Sequence, residues 1–189
     1  MDFFERFSKE VMEPFAIKTI AASFDSNYNM YLSPSNSDNF DFISPSGDCA
    51  VEITTVIPKN EMNMYVYEKR KANGKENLDC SQIKGLKFKD NGDIYSYYGG
   101  SISEIVNAIN KSIKAKQNKA LNRIKNQSYK YIDLAICMVD GSLFDLFSFE
   151  LNFKDLNSEP FHNIFFITPS HFIRYNNDIG FIEYPRKTA

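Results

Sequence analysis

Two short apolar runs flank a turn near the start of the chain: Phe40-Asp41-Phe42-Ile43, and Ala50 through Ile57, on either side of Ser44-Pro45-Ser46-Gly47-Asp48. β-branched residues crowd the second run and Pro, Ser and Gly punctuate the gap, a pattern that predicts two neighbouring strands. Side chains alternate along a strand, so Glu52 and Thr54 share one face while Val51 and Ile53 take the other. Before this pair, residues 2 to about 24 read as a helix. Phe4, Phe7, Val11, Phe15 and Ala22 form its expected stripe, and Pro14 is expected to kink or split it. Asp25 to Asn29 breaks the helix, Met30 to Leu32 extends briefly, and Ser33 to Asn39 is a polar loop.

The middle of the chain is less regular. Glu61 to Lys71 fits a short helix, and Leu86 to Tyr97 fits a hairpin turning at Asn91-Gly92. Ser101-Ile-Ser-Glu104 matches a capping box and opens a long helix to about Asn126. Its stripe is Ile102, Ile105, Val106, Ile109, Ile113, Ala120 and Ile124. At about 100° per residue, Lys116 falls in the middle of that stripe. Tyr131 to Val139 and Asn163 to Thr168 are near-continuous apolar runs, the signature of strands buried on both faces. Phe144 to Phe153 reads as an ordered segment or short helix, and residues from Ser170 onward are mixed. A strand–helix–strand crossover between buried strands predicts an α/β or α+β sandwich, with helices flanking a mixed central sheet, in one domain over residues 1–189.

Composition narrows the chemistry. The chain has 189 residues, 43% of them hydrophobic, and a net charge of −2, so no global basic field marks a nucleic-acid partner and any such surface must be local. Cys49, Cys80 and Cys137 are odd in number and widely spaced, which argues against a disulfide framework. No C-x-x-C accompanies His162 or His171, which argues against zinc. The chain shows no signal-peptide pattern and no apolar run near the roughly 20 residues of a membrane span, so a cytoplasmic protein without a membrane partner is expected. Phosphate-loop, dinucleotide and hydrolase-elbow motifs are missing.

What stands out is a carboxylate in each of the first two strands. Asp41 and Glu52 sit among hydrophobic neighbours, where a charge costs free energy unless compensated. Two carboxylates suit Mg²⁺ (or Mn²⁺), a hard cation that takes oxygen ligands and retains waters. A lysine among isoleucines either snorkels along the stripe edge or reaches a site at the sheet margin. Lys116 is the candidate for the second role, with Lys114 and Lys119 as alternates. The competing account is plain: an ordinary strand-end Asp41, a solvated strand residue Glu52, and Thr54 present for its β-propensity. Glu10 is a candidate extra carboxylate or a solvated helix charge. The basic run Lys69-Arg70-Lys71 and the helix lysines track phosphates or simply face water.

Asp41, ten intervening residues, then Glu52-Ile53-Thr54 resembles the core of the PD-(D/E)xK nuclease superfamily, the restriction-endonuclease-like fold, over roughly residues 1 to 140. The resemblance implies an αβββαβ core and a metal held by Asp41, Glu52 and the Ile53 carbonyl. It also implies DNA as the partner and phosphodiester hydrolysis as the reaction, with a homodimer left open. This chain departs from the pattern in two places. Asn39-Phe40 precedes the Asp where the family usually has Pro, and Thr54 stands where the catalytic Lys would be. Some members draw that lysine from the following helix, which implies catalytic roles for Asp41, Glu52, Thr54 and Lys116. An inactive, nuclease-fold binding or assembly module carries the same signature.

Overall fold

The computed structural model describes residues 8–35, 39–57, 62–63, 66–67, 71, 101–125, 128–138 and 145–187, and the backbone alone at 86–88 and 94–97. One mixed six-stranded sheet organises it. Strands β1 (Phe42–Ile43), β2 (Cys49–Val56), β5 (Tyr131–Met138), β6 (Asn163–Ile167), β7 (Phe172–Asn176) and β8 (Gly180–Tyr184) lie in that order across the sheet. β1 runs antiparallel to β2, β2, β5 and β6 are mutually parallel, and β7 and β8 are antiparallel additions. Leu32 adds an isolated antiparallel bridge to Ile43, extending the meander by one residue pair beyond β1. β3 (Leu86–Phe88) and β4 (Ile94–Tyr97) pair antiparallel in a sheet of their own, as the hairpin pattern predicts; its Asn91-Gly92 turn lies outside the described residues. The protein is thus of the α+β class, a mixed sheet flanked by helices.

Helices α1 (Lys9–Ser23), α2 (Ile102–Ile124) and α3 (Leu146–Asn152) complete the described elements, with a 3-10 turn at Ser26–Met30. Alternation along the strands produces two cores. Ala50, Val56, Ile132, Leu134, Ile136, Ile164 and Phe166 face α2 and α3, where Ile105, Ile109, Ile113 and Phe149 meet them. Val51, Ile53, Ala135, Cys137, Phe165 and Ile167 face α1, against Ala16, Ile17, Ile20 and Ala21. Strand β5 is buried on both faces after its exposed first residue, as its apolar run requires. The predicted capping box is present: Ser101 accepts from the Glu104 N–H, and the Glu104 carboxylate accepts from the Ser101 N–H at 2.7 Å.

Three expectations change. The face that α1 buries is Ala16, Ile17, Ile20 and Ala21, whereas Val11 of the expected stripe is 37% exposed; Phe4 and Phe7 lie outside the described residues. Small alanines let the helix approach the sheet closely, and Phe15 of the expected stripe packs at the edge of this contact, partly buried. Pro14 does not split α1, which runs unbroken through it. The bond that Pro14 cannot make would go to the carbonyl of Glu10, a solvent-exposed residue. The mixed tail is a regular β7–β8 hairpin, its turn closed by Gly180 at φ +82°, a conformation that favours glycine. The backbone is helical at 62–63, 66–67 and 71; the rest of the Glu61–Lys71 stretch, Lys69 and Arg70 included, lies outside the described residues.

Candidate functional site

The site begins where β1 stops. Phe42 pairs with Val51, so the next steps of the register would set Asp41 beside Glu52 and Phe40 beside Ile53. The ladder ends before that, and the Ile53 N–H and carbonyl, which point toward the β1 side, lose their strand partner. Unpaired buried backbone groups are costly, so other groups fill both positions. Asp41 accepts from the Ile53 N–H through Oδ2 at 2.7 Å, and Lys116 Nζ donates to the Ile53 carbonyl at 2.9 Å. The same amine donates to Glu52 Oε1 at 2.6 Å. Asp41, Glu52, the Ile53 backbone and Lys116 therefore meet at one point, at the margin of the sheet beneath α2.

Glu52 is only 1% exposed, on the α2 side of its strand. Three cations surround it: Lys116 at 2.6 Å and Lys119 at 3.0 Å on Oε1, and Arg123 at 2.6 Å on Oε2. Burial pushes its carboxyl upward, but Lys116 and Lys119 outweigh burial and hold it below the usual carboxylate range. Residues 116, 119 and 123 recur at helical spacing, which is why one strand residue meets all three. Arg123 was not among the sequence candidates, yet it lies one helical turn beyond Lys119 and two beyond Lys116, and that period was the available signal. Lys119, an alternate for the site lysine, is brought in; Lys114, the other, is exposed and makes no contact with Glu52.

Helix α1 supplies a second set. Lys9 Nζ lies 3.0 Å from Glu13 Oε1 and 3.5 Å from Asp41 Oδ1, between the two carboxylates. Burial raises the Glu13 carboxyl, with the Asp41 charge adding to the effect, while Lys9 and Lys116 oppose it. Glu10, the sequence candidate for an extra carboxylate, is exposed instead; Glu13, three residues on, is the helix acid that faces the site. Thr54 is half-buried, shares a strand face with Glu52, and makes no hydrogen bond to the site groups. Four cationic groups thus stand against three carboxylates, so the neighbourhood carries a local positive excess within an acidic chain.

The donors suit a hard divalent ion. Asp41, Glu52 and the Ile53 carbonyl offer only oxygen, and one or two carboxylates beside waters is the usual protein share of a Mg²⁺ shell. Among the described residues no group of three His, Cys, Asp or Glu side chains is placed to hold a metal.

A second buried acid was missed by sequence. Asp133, on β5 and 4% exposed, accepts from the Tyr28 hydroxyl at 2.6 Å and from the Asn163 N–H and side-chain amide, both at 2.9 Å. Its partners lie 105 and 30 residues away, so no local pattern announces it. The cysteines and histidines have other surroundings. Cys137 is buried, with its thiol pushed up to about 12 by burial, and Cys49 is half-buried beside Tyr31. His171 pairs with Glu183 at 2.6 Å, and His162 is exposed. No helix among the described residues is long and apolar enough to cross a membrane. No family model, no curated protein and no solved structure matches the chain.

Proposed function

We propose that the chain is a metal-dependent nuclease of the PD-(D/E)xK type, hydrolysing DNA phosphodiesters with a lysine supplied by α2. One observation carries this reading. The Lys116 amine, 64 residues from Glu52 in sequence, contacts both Glu52 and the Ile53 carbonyl, two of the three groups that the resemblance assigns to the metal. The element order supports it as well: helix α1, the Leu32 bridge, β1, β2, helix α2 and the parallel strand β5.

In this reading Asp41, Glu52 and the Ile53 carbonyl hold Mg²⁺ or Mn²⁺, which when bound polarises the phosphoryl oxygen and lowers the pKa of water. The chain's own groups do the rest. Asp41 keeps the Ile53 peptide fixed through its N–H, which sets the direction of the carbonyl. Lys116 sits where it steadies an attacking water or the charge that develops on the phosphoryl oxygens. Lys119, 46% exposed at its side chain, presents a cation to the phosphate backbone from the outer side.

Lys116 carries the test. Purified protein with Mg²⁺ or Mn²⁺ should cleave single-stranded or duplex DNA, and Lys116→Met should cut the rate by about 10²- to 10³-fold, the usual cost of one preorganised electrostatic donor. Unchanged cleavage by Lys116→Met would refute the assignment.

A second reading has its own observation. Lys116, Lys119 and Arg123 already neutralise Glu52, and Lys116 takes the Ile53 carbonyl. A nuclease-fold binding module that has replaced its metal with helix cations would look like this. Calorimetric titration with Mn²⁺ separates the two: Glu52-dependent binding belongs to the nuclease, and none belongs to the module.

A further inference from the structure

Beyond the Glu52 centre, one cleft combines basic and aromatic groups. It has a volume of about 450 Å³ and opens between the C-terminal end of α2, the start of β5 and the Glu159–His162 segment. Tyr129, Lys130, Tyr131 and His162 line it, together with Glu159 and Pro160. The Tyr131 and His162 rings stand 4.6 Å apart at a 39° tilt, and the Lys130 amine lies 5.2 Å over the Tyr131 ring. Lys130, Tyr131 and His162 are all exposed to solvent, Tyr131 by 40%, and an exposed aromatic pair under a cation is not a core feature.

The cleft adjoins the candidate active site. Arg123, which holds Glu52 Oε2, lies with its guanidinium 5.0 Å over the Phe40 ring, and Phe40 meets Tyr129 edge-on at 5.0 Å. Ile124, the next residue of α2, lines the cleft itself. Lys119 and Ile124 are five residues apart on α2, about 7.5 Å along its axis, so a strand held at Lys119 has the cleft within reach. The lining decides what enters. A bare phosphate calls for converging cations, yet here the lining has one lysine and one carboxylate among aromatic rings. A nucleobase matches: a π-face for Tyr131 and His162, polar edges for Lys130 and Glu159, and a size well within the cleft.

We propose that this cleft holds an unpaired base of the bound strand, which makes single-stranded or locally unpaired DNA the substrate class. The assignment rests on the nuclease reading for the neighbouring site, but its test needs no cleavage. The full chain is titrated in EDTA against a fluorescein-labelled oligothymidylate and against a blunt duplex of equal length, with anisotropy as the readout. Tyr131→Ala should weaken single-strand binding about tenfold, the scale of one lost stacking platform, while duplex binding stays unchanged and Tyr131→Phe stays normal. An equal loss on both probes, or no loss on the single strand, would overturn the proposal. If Tyr131→Ala lowers the melting temperature, His162→Ala carries the same comparison with the same two readings. Tyr131-dependent single-strand binding in a protein that never cleaves with Mg²⁺ would leave the cleft standing and remove the nuclease.

Discussion

Glu52 and Asp133 are both buried carboxylates on parallel strands of one sheet, and they are held in opposite ways. Glu52 lies on the α2 side among three cations, 1% exposed, with its carboxyl held down. Asp133 is 4% exposed and surrounded by neutral donors. Burial dominates there and raises its carboxyl despite three hydrogen bonds from Tyr28 and Asn163. Asp133 has its hydrogen bonds made by an amide, a backbone N–H and a tyrosine hydroxyl that burial keeps protonated, and it ties the Ser26–Met30 turn to β5 and β6. Glu52 is held instead by three side chains of α2, each of them a cation.

The comparison breaks most visibly in stability. Glu52→Gln leaves three cations facing each other beside the core and should cost about 3–5 kcal/mol, as removal of one partner from a buried ion pair does. Lys119, half in solvent, adds little of this. Asp133→Asn keeps an oxygen for Asn163 and should cost only about 1–3 kcal/mol, mainly at Tyr28. Urea midpoints of the two variants check both, and a larger loss for Asp133→Asn would reverse the account.

Acid sharpens the same contrast with a sign. The folded Glu52 carboxyl lies below its ordinary value of 4.5, so its stabilisation is complete above about pH 4.5 and is lost as pH falls through the lower folded value. Asp133 is raised above 3.8, so its contribution is complete below that value and is lost as pH rises through the raised one. Between neutral pH and pH 3, the advantage of wild type over Glu52→Gln should shrink, while wild type should gain on Asp133→Asn. Parallel curves for the two variants would contradict the distinct environments. The smallest expected effect is at Lys9, 73% exposed at its side chain, where substitution by Met should leave the urea midpoint nearly unchanged.

Much of this was legible because short periods control it. Strand alternation placed Glu52 on the face opposite Val51 and Ile53, and helical spacing placed Lys116 inside the α2 stripe, so their meeting followed from two local rules. Arg123 obeys the same spacing and was within reach of the same rule. Glu13 was not, because the buried face of α1 is chosen by how closely Ala16 and Ala21 let the helix approach the sheet, a tertiary matter that its phenylalanines obscured. The role of Asp41 was half legible. Its nearness to Glu52 follows from register, but its hydrogen bond to Ile53 depends on where β1 ends. Asp133 depends on Tyr28, far away in sequence, and its run reads as apolar strand either way. The β7–β8 hairpin was announced by Asn177-Asp178-Ile179-Gly180 between apolar runs, a turn signal that alternation alone did not weigh.

The most direct measurement sets the two acids side by side in one cleavage assay: wild type, Glu52→Gln and Asp133→Asn, each verified as folded, with labelled DNA and Mg²⁺ and then with EDTA. The account predicts metal-dependent cleavage by wild type and Asp133→Asn, and none above background by Glu52→Gln. Cleavage that survives in Glu52→Gln, or that proceeds equally in EDTA, would contradict it.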